Sequence, residues 1–387
     1  MRPRAVITAP VIEPNDGRLL RQAESLRAAG FVVELLAPDR GDGLPRALQG
    51  GATFVGWAPP TARAVLRLLP PKVASGVAWR LKLGAWAHAL RERRADAILA
   101  SAPEGLLAAS LARPSGAAIL YDAHEFYEDE DGDTLRAKWV RRAHSRAAGS
   151  IDGFVTVNPG IAALYAEAQP DFPNADIVGN GAPFSRPGKN GELQDVAGLD
   201  PRTKVVLYHG ALTPMRGLER LVSVAQLLPD GYAVVVMGQG PLSAMIARAA
   251  GPKLRLIPPV PYNQLADRIV GAAVGAVLYE GGPLNQQWSS PNKFFEYAAV
   301  GVPMVASDLP GFRLYPDILE TCVVVKKEHS PADLVAAIVL ASKRNTMARR
   351  KADVLARRYG WDSQARILVT AIEDAIRRRS RHMADIA

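Results

Sequence analysis

The segment Ser290–Tyr297 combines residue types that could hold a phosphorylated ligand at the start of a helix. Ser290 is a suitable N-cap, and Pro291 fits the first turn, where its missing N–H costs nothing. Backbone N–H groups and the helix dipole attract phosphate at such a terminus, and Lys293 adds a cation. Glu296 shares a helix face with Lys293 and could accept hydrogen bonds from two vicinal hydroxyls, as on a ribose. The order of these groups matches a nucleoside diphosphate. Taken alone, however, such a segment is more often a capped helix with an ordinary Lys–Glu pair.

Two other junctions between a strand and a helix carry related chemistry. In Tyr208–Gly217, Gly210 would let a ligand approach the backbone, and Arg216 could pair bidentately with phosphate. The segment Gly238–Pro241 is only part of a dinucleotide-binding G-x-G-x-x-G pattern, because position 243 is serine. Each glycine alone is best explained by a tight turn, but three such elements in this order favour a ligand site.

Apolar runs and helical patterns alternate along the chain, which predicts parallel sheets with helices on both faces. A stretch rich in turn-forming residues after residue 178 separates two such halves. We expect a first domain over residues 1–182, completed by a helix over 362–387, a linker over 183–198 and a second domain over 199–361. In doubly wound domains, ligands bind at the carboxyl ends of the strands, and a cleft between two domains is the default site.

The composition indicates a globular protein of the cytoplasm. The chain has 387 residues, of which 48% are hydrophobic, and a single cysteine, Cys322, which excludes a disulfide framework. The first apolar run is too short for a signal peptide, and no run is long enough to span a bilayer. The net charge is +9, but the chain carries no nucleic-acid-binding motif, so a nucleic-acid partner is not expected.

A basic segment over residues 63–94 raises the question of membrane contact. Trp79, Leu83, Trp86 and Leu90 fall on one helix face, flanked by basic residues. Such a face could lie in a membrane interface, but packing on the first sheet is the favoured interpretation, because a strand follows directly. The exposed part would then be the upstream stretch with Arg63, Arg67 and Lys72. Peripheral contact with the inner, anionic face of the cytoplasmic membrane remains an expectation.

The motifs resemble those of the GT-B glycosyltransferases of family 4, the group 1 transferases. In the second half the resemblance rests on the three ligand-site segments described above, together with Gly301-Val-Pro303. In the first half, Tyr121–Glu125 and the loop and helix over residues 15–30 are similar to the family. The resemblance spans nearly the whole chain. It implies a GT-B fold, in which two Rossmann-like domains face a cleft and a C-terminal helix crosses back to the first domain.

The resemblance also implies a role for individual residues. Arg216 and Lys293 would neutralise the donor diphosphate, and Glu296 would hold the ribose. His124 would lie close to the transferred sugar, so the residues expected to be catalytic are His124, Arg216 and Lys293. The remaining implied contacts are Gly210, Gly238, Tyr262, Ser290, Pro291 and Asn292 for the donor, and Asn15, Asp16 and Gly17 for the acceptor.

The chain departs from the family at two positions. Ala211 stands where many members have an arginine that contacts phosphate, and Trp288 stands where many have a sugar-binding glutamate. Glu280, Asn285 and Gln286 are candidates to replace that glutamate. Trp288 and Ala211 also support an alternative, a non-catalytic nucleotide-sugar-binding subunit. A second alternative is a GT-B nucleotide-sugar epimerase or hydrolase.

The resemblance implies transfer with retention at the anomeric carbon. With cations and a helix terminus at the diphosphate, neither a metal ion nor a cofactor is expected. Two D-x-D patterns, Asp129–Asp131 and Asp131–Asp133, argue the other way, since such pairs hold a cation in the other large glycosyltransferase fold. We interpret them as a solvated loop. The expected partners are a nucleotide-sugar donor and a carbohydrate or lipid-linked acceptor in bacterial polysaccharide or glycolipid synthesis.

Overall fold

The computed structural model describes residues 2–12, 17–39, 52–56, 70–114, 116–129, 134–183 and 192–386. By its internal contacts the chain forms two compact units. The first contains residues 1–178 and 365–387, and the second contains residues 179–364. The predicted acceptor residues Asn15 and Asp16, the basic residues Arg63 and Arg67 and the side chain of Lys72 lie outside the described residues, as do Asp131 and Asp133.

The first unit is built on a parallel sheet whose described strands follow the order β3-β2-β1-β4-β5-β6-β7. This is the doubly wound order. Successive strands are added toward one edge of the sheet from β1 to β3 and toward the other edge from β4 onward, so the strand order reverses between β1 and β4. The strands are β1 Arg4–Thr8, β2 Val32–Pro38, β3 Ala52–Val55, β4 Ala97–Ser101, β5 Ala118–Ala123, β6 Gly153–Thr156 and β7 Ala175–Ile177. The helices are α1 Gly17–Ala28, α2 Pro71–Arg91, α3 Ala102–Ala112, α4 Leu135–Ala147 and α5 Pro159–Ala168.

The second unit repeats this plan with the order β10-β9-β8-β11-β12-β13 in its described strands. They are β8 Lys204–His209, β9 Tyr232–Met237, β10 Leu254–Ile257, β11 Val274–Val277, β12 Met304–Ser307 and β13 Cys322–Val325. The helices are α6 Leu193–Val196, α7 Leu218–Val224, α8 Ser243–Ala249, α9 Leu265–Ile269, α10 Leu284–Gln287, α11 Asn292–Val300, α12 Pro310–Arg313, α13 Pro316–Leu319, α14 Pro331–Ser342, α15 Asn345–Tyr359 and α16 Trp361–Ile386. The last helix, α16, begins in this unit and continues into the first from residue 365 onward.

The second sheet is covered on both faces, as a parallel sheet requires. Val205 and Leu207 of β8 belong to one apolar cluster, which includes side chains of α9, α11 and α15. Val206 and Tyr208, which point to the opposite face, belong to the other cluster, with side chains of α7, α8 and α14. Strand residues that alternate between two buried faces read as continuous apolar runs, which is why the sequence reveals these strands clearly.

Helix α11 lies unusually close to the sheet. A side chain at Gly275 in β11 would collide with the ring of Tyr297, and the Tyr297 hydroxyl donates a 2.6 Å hydrogen bond to the carbonyl oxygen of Leu207. Gly301 ends the helix with a φ of 72°, a conformation that favours glycine. These contacts fix the height and direction of the helix that carries Lys293 and Glu296.

Three features differ from the sequence expectations. The short edge strands β3 and β7 were not predicted, because runs of three or four residues show no recognisable periodicity. Helix α6 falls within the predicted linker, yet its Leu193 is fully buried in the core of the second unit. The predicted linker over 183–198 thus contains a short helix near its C-terminal end, where the apolar side chain of Leu193 anchors the segment.

Helix α2 packs against the first sheet. Leu90 is buried, as is Trp86, whose indole N–H donates a 2.8 Å hydrogen bond to Thr8 Oγ1 on β1. Trp79, nearer the start of the helix, meets the ring of Trp139 edge-on with 5.7 Å between centroids. The packing interpretation favoured from the sequence is correct for Trp86 and Leu90. Within the part of the chain that the structure describes, no helix has both the length and the apolar character needed to cross a bilayer.

Candidate active site

The predicted donor residues of the second unit gather where the strand order reverses. Strands β8 and β11 are neighbours, and the chain leaves both at this edge, through His209-Gly210 and Leu278-Tyr279. Helix α11 begins here as well, so its first turn lies beside the two strand ends. A reversal point of this kind leaves a crevice outside the carboxyl ends of the strands, where doubly wound domains bind ligands.

Lys293 is buried among aromatic rings at this edge, with only 6% of its surface exposed. Its ammonium lies 3.8 Å from the centroid of the Tyr208 ring and 5.5 Å from that of Tyr279. Burial lowers the pKa of Lys293 well below the ordinary lysine value, and the nearby charge of Arg216 lowers it further, while Glu296 opposes the shift. An anionic ligand beside Lys293 would stabilise the charged form of the ammonium, so binding of an anion is favourable at this position.

Arg216 is held against the same aromatic ring. Its guanidinium donates a hydrogen bond to the Tyr279 hydroxyl, and Cζ lies 4.6 Å from the centroid of that ring. The backbone around it is tightly constrained, because a side chain at Gly217 would collide with the carbonyl oxygen of Leu278 and Gly217 has a φ of 72°. Tyr279 therefore brings two cations together, one from the loop after β8 and one from α11.

Glu296 is 2% exposed and meets polar groups at both carboxylate oxygens. The Tyr262 hydroxyl donates a 2.9 Å hydrogen bond to Oε1. Nε2 of His209 lies 3.6 Å from Oε2. Burial, with a contribution from Lys293, lowers the pKa of His209 to about 3, so the imidazole is neutral near pH 7. The carboxylate thus has a phenol hydroxyl and an imidazole as polar neighbours, and it also interacts with the charge of Lys293.

The two loops after β8 and β9 cross at their glycines. A side chain at Gly238 would collide with the carbonyl oxygen of Gly210, and the Gly210 N–H donates a 3.0 Å hydrogen bond to the carbonyl of Met237. Gly210 has a φ of 112°, and a β-carbon there would lie 3.8 Å from the Lys293 ammonium. Glycine is therefore required by packing at position 238 and favoured by the backbone conformation at position 210, which borders the Lys293 ammonium.

The first turn of α11 differs from the sequence expectation. Pro291, in an extended conformation, occupies the N-cap position, the helix begins at Asn292, and no side chain caps it. Ser290 is not the N-cap, because its buried hydroxyl points to Tyr315, 3.4 Å from the phenol oxygen. Its carbonyl accepts a 2.7 Å hydrogen bond from the Asn180 side-chain amide. The helix dipole still makes this terminus favourable for an anion, but the Ser290 hydroxyl contacts Tyr315 instead of capping the helix.

The first unit contains a separate charged cluster at the end of β5. Asp122 is fully buried and accepts hydrogen bonds from Arg18 Nη2 at 2.8 Å and Arg18 Nε at 3.0 Å. Nε2 of His124 lies 3.0 Å from the same carboxylate. Burial alone would raise the pKa of Asp122, but the charges of Arg18 and His124 outweigh it and hold that pKa well below the usual range. His124 is thus oriented by a carboxylate that stays ionised.

The second-unit cluster has the chemistry of a site for a phosphorylated, hydroxyl-bearing ligand. Two cations share an aromatic wall, and a buried carboxylate lies one helical turn from one of them. Among the described residues, no three His, Cys, Asp or Glu side chains come together as a metal-binding group. The positive charge at this site is supplied by Lys293, Arg216 and the start of α11.

Comparisons with known proteins identify the family of this chain. A family model described as Glycosyl transferases group 1 matches residues 203–343, and one described as Glycosyl transferase 4-like domain matches residues 17–181. The chain belongs to the group 1 glycosyltransferases. The predicted family is thereby confirmed.

Individual relatives of this chain are distant. A D-inositol 3-phosphate glycosyltransferase of Xylanimonas cellulosilytica is 28% identical over 204 residues, which is 48% of this chain and 46% of the relative. The match thus spans about half the length of that curated relative. Sucrose-phosphate synthase from Thermosynechococcus elongatus has the same fold with a TM-score of 0.72, at 14% identity over 94% of this chain and 96% of that one. The structure of Anabaena Alr3699/HepE in complex with UDP-glucose has a TM-score of 0.69, at 13% identity over 96% of this chain and 99% of that one. The predicted GT-B fold is confirmed.

The structure brings together only some of the predicted site residues. Those gathered at the edge of the second sheet are Gly210, Arg216, Gly238, Tyr262, Lys293 and Glu296, with Ser290, Pro291 and Asn292 at the adjoining helix start. His124 and Gly17 lie in the first unit, where Gly17 opens α1.

Sequence reasoning missed several residues of the two clusters. The second unit adds His209 and the rings of Tyr208 and Tyr279, and the first unit adds Arg18 and Asp122. All but Arg18 stand within two residues of a strand end, which was the available signal. Arg18 lies in the segment over residues 15–30 that resembles the family, but the resemblance implied no role for it.

Of the candidates for the sugar contact, Gln286 has a side chain that contacts the residue before Arg216. Its amide nitrogen donates a 3.3 Å hydrogen bond to the sulfur of Met215, the residue before Arg216. Its buried carbonyl oxygen has no hydrogen-bond partner among the described residues. Asn285 is buried on the same short helix, α10. Gln286 is the stronger candidate, since an unpaired buried acceptor can receive a sugar hydroxyl.

Proposed function

We propose that this chain is a retaining glycosyltransferase that moves a sugar from a nucleoside diphosphate sugar to a hydroxyl acceptor without a metal ion. The observation that carries the proposal is the pair of cations, Lys293 and Arg216, on the ring of Tyr279 beside the buried carboxylate of Glu296. The cations would receive the diphosphate, and Glu296 the ribose hydroxyls. The curated relative named as a glycosyltransferase and the neighbour solved with UDP-glucose support a donor of this class.

The chemistry follows from where charge develops. Breaking the bond between the anomeric carbon and the diphosphate oxygen leaves negative charge on the phosphate and positive charge on the sugar. Lys293 and Arg216 would stabilise the leaving diphosphate, which is where fixed positive charge lowers the barrier most. Glu296 is engaged by Tyr262 and is assigned to the ribose, so it is not proposed as a nucleophile. The acceptor hydroxyl would then attack from the leaving-group side and pass its proton to the departing phosphate, which retains the configuration.

The acceptor and the biological setting remain proposals. We propose a carbohydrate or lipid-linked acceptor in bacterial polysaccharide or glycolipid synthesis, with the enzyme in the cytoplasm near the inner face of the membrane. His124, held by Asp122, would act near the transferred sugar, and Gly17 with its preceding residues would contact the acceptor. The membrane contact would depend on the basic stretch with Arg63, Arg67 and Lys72.

Sugar transfer with and without a chelator tests the proposal. The purified chain would be incubated with labelled sugars on UDP, GDP, ADP and dTDP, together with lipid extract and free saccharides, with or without EDTA. We expect a labelled acceptor with retained anomeric configuration by NMR, at the same rate in EDTA. Complete loss in EDTA would instead favour a metal-dependent site at the acidic run 129–133.

The same assay separates the two alternatives. Release of free sugar from the donor without any glycosylated acceptor would indicate a hydrolase or epimerase. Donor binding with no turnover under any acceptor condition would indicate a binding subunit, to which Ala211 and Trp288 would then contribute.

A further inference from the structure

The imidazole of His209 is buried beside Glu296 without a hydrogen bond on its inner nitrogen. The residue is 4% exposed, and Nε2 has no hydrogen-bond partner among the described residues. The nearest carboxylate oxygen, Oε2 of Glu296, lies 3.6 Å from it. A buried polar nitrogen left unpaired is unfavourable by roughly 1–3 kcal/mol, so packing alone gives no reason for a histidine here.

The ring of His209 is held in place by its neighbours. It meets the ring of Tyr297 edge-on, with 4.9 Å between centroids. Tyr297 is itself fixed by its hydrogen bond to the carbonyl of Leu207 and by its contact with Gly275. Because β8 and α11 are tied together through Tyr297, the imidazole and the carboxylate are held at a fixed separation.

Glu296 is therefore approached from both sides. Tyr262, from the segment after β10, donates to Oε1 at 2.9 Å, and His209, at the end of β8, lies beyond Oε2. Two neighbours that fix the rotation of the carboxylate also fix the direction in which its oxygens can accept hydrogen bonds from ribose hydroxyls. A protonated histidine or a lysine here would form an ion pair with the carboxylate and compete with the hydroxyls, whereas a neutral imidazole does not.

We propose that His209 and Tyr262 are positioning residues that orient the Glu296 carboxylate toward both hydroxyls of a ribose. By doing so they set the preference of the site for a ribonucleoside diphosphate over its 2′,3′-dideoxy counterpart. This inference rests on the proposed function, since it takes the donor to be a nucleotide sugar. It adds two residues, from two separate elements, that determine how much the ribose hydroxyls contribute to the affinity for the nucleotide.

The test compares ribonucleotide and dideoxynucleotide binding in matched variants. The probe is whichever of UDP, GDP and ADP binds the wild type most tightly by calorimetry, paired with its 2′,3′-dideoxy form. For Tyr262→Phe, which loses a hydrogen bond to Glu296, and for His209→Phe, which loses a polar neighbour of Oε2, we expect affinity for the ribonucleotide to fall about three- to tenfold, with little change for the dideoxy form. His209→Gln, which keeps an N–H at similar reach, should restore most of the affinity.

A control variant separates this effect from a general loss of stability. Tyr232→Phe also removes a tyrosine hydrogen bond, the 2.7 Å contact with Ser342 Oγ, but at the opposite end of the second sheet. Its ratio of ribonucleotide to dideoxynucleotide affinity should equal that of the wild type. The ratio is measured within each variant, so a partial loss of folded protein does not affect it, and Tyr262→Phe remains informative if His209→Phe fails to fold.

Several outcomes would overturn the inference. Equal weakening of both ligands would show that the two residues act only through packing, and tighter ribonucleotide binding by Tyr262→Phe would show that the hydroxyl competes with ribose. An unchanged ratio in both phenylalanine variants would also contradict it. In each case the wild type still binds the ribonucleotide, so the proposed function stands. If the wild type binds none of the three nucleotides, both the inference and the proposed function fail.

Discussion

Replacing Lys293 by methionine should weaken the binding of a nucleoside diphosphate at least about tenfold, as expected for a lost charge-assisted hydrogen bond. The same change should raise the stability of the folded chain. Methionine keeps a long apolar side chain against the ring of Tyr208 and removes an ammonium that is buried beside Arg216. Nucleotide affinity by calorimetry and the midpoint of thermal unfolding would be measured on the same preparation.

The sign of the stability change follows from the pKa of Lys293. The folded state lowers this pKa, so at neutral pH the unfolded chain holds the proton more readily than the folded chain does. The charged lysine therefore destabilises the fold at neutral pH, and its removal should stabilise the fold by about 1 kcal/mol, within the range seen when a functional site is relieved of strain. Above the ordinary lysine pKa this difference should vanish.

Lys204 provides a matched control. Its ammonium also lies over a tyrosine ring, 5.1 Å from the centroid of Tyr232, but it stands at the start of β8 rather than at its end. Lys204→Met should leave nucleotide affinity unchanged. If Lys293→Met binds nucleotide normally, or if both methionine variants weaken binding equally, the assignment of the diphosphate to Lys293 is wrong.

Replacing Asp122 by asparagine should destabilise the first unit by about 3 kcal/mol, because it leaves a buried guanidinium without its counter-charge. Arg18 is only 5% exposed, and its hydrogen bonds to Asp122 through Nε and Nη2 would lose their ionic character. Since the pKa of Asp122 is held below the usual range, this stabilisation is present at neutral pH and is lost only when acid protonates the carboxylate. Urea unfolding at pH 7 would measure the loss.

A half-exposed ion pair in the same unit serves as the comparison. Arg93 and Glu34 form a 3.0 Å contact with 27% of each side chain exposed, so Glu34→Gln should cost less than about 1 kcal/mol. Sugar transfer by Asp122→Asn should also fall, because His124 loses the carboxylate that orients it, while nucleotide affinity in the second unit stays within about twofold. Equal destabilisation by the two variants would refute the special role of the buried pair.

The fold was predictable from the sequence because its strands are buried on both faces. Val205–His209 and Ala233–Met237 read as unbroken apolar runs, and the structure places strands there. The edge strands β3 and β7 were not predictable, since their few residues are stabilised by neighbours that are distant in the chain. Leu193 shows the same limit, because only the packed core reveals that its segment is anchored.

The site was predictable where its residues follow a local pattern and not where they depend on tertiary contacts. Lys293 and Glu296 share a helix face, so their proximity could be read from their spacing. The convergence of Arg216 on Tyr279 could not be inferred, because it depends on the path of the loop after β8. The same applies to His209, whose importance lies in an unpaired nitrogen beside Glu296. Ser290 shows that a local pattern can also mislead. Its residue type favours an N-cap, but in the structure Pro291 is the N-cap and the Ser290 hydroxyl contacts Tyr315.

The most direct test of the central claim is thermal unfolding of the wild-type chain with UDP, GDP, ADP and dTDP and their sugars. A nucleotide that binds the site described here should raise the unfolding temperature, since a ligand at a hundred times its dissociation constant stabilises by about 2.7 kcal/mol. We expect one base to give a clear shift that Glu296→Ala greatly reduces. No shift with any of them, or an equal shift in Glu296→Ala, would contradict a nucleotide-sugar site built on Lys293, Arg216 and Glu296.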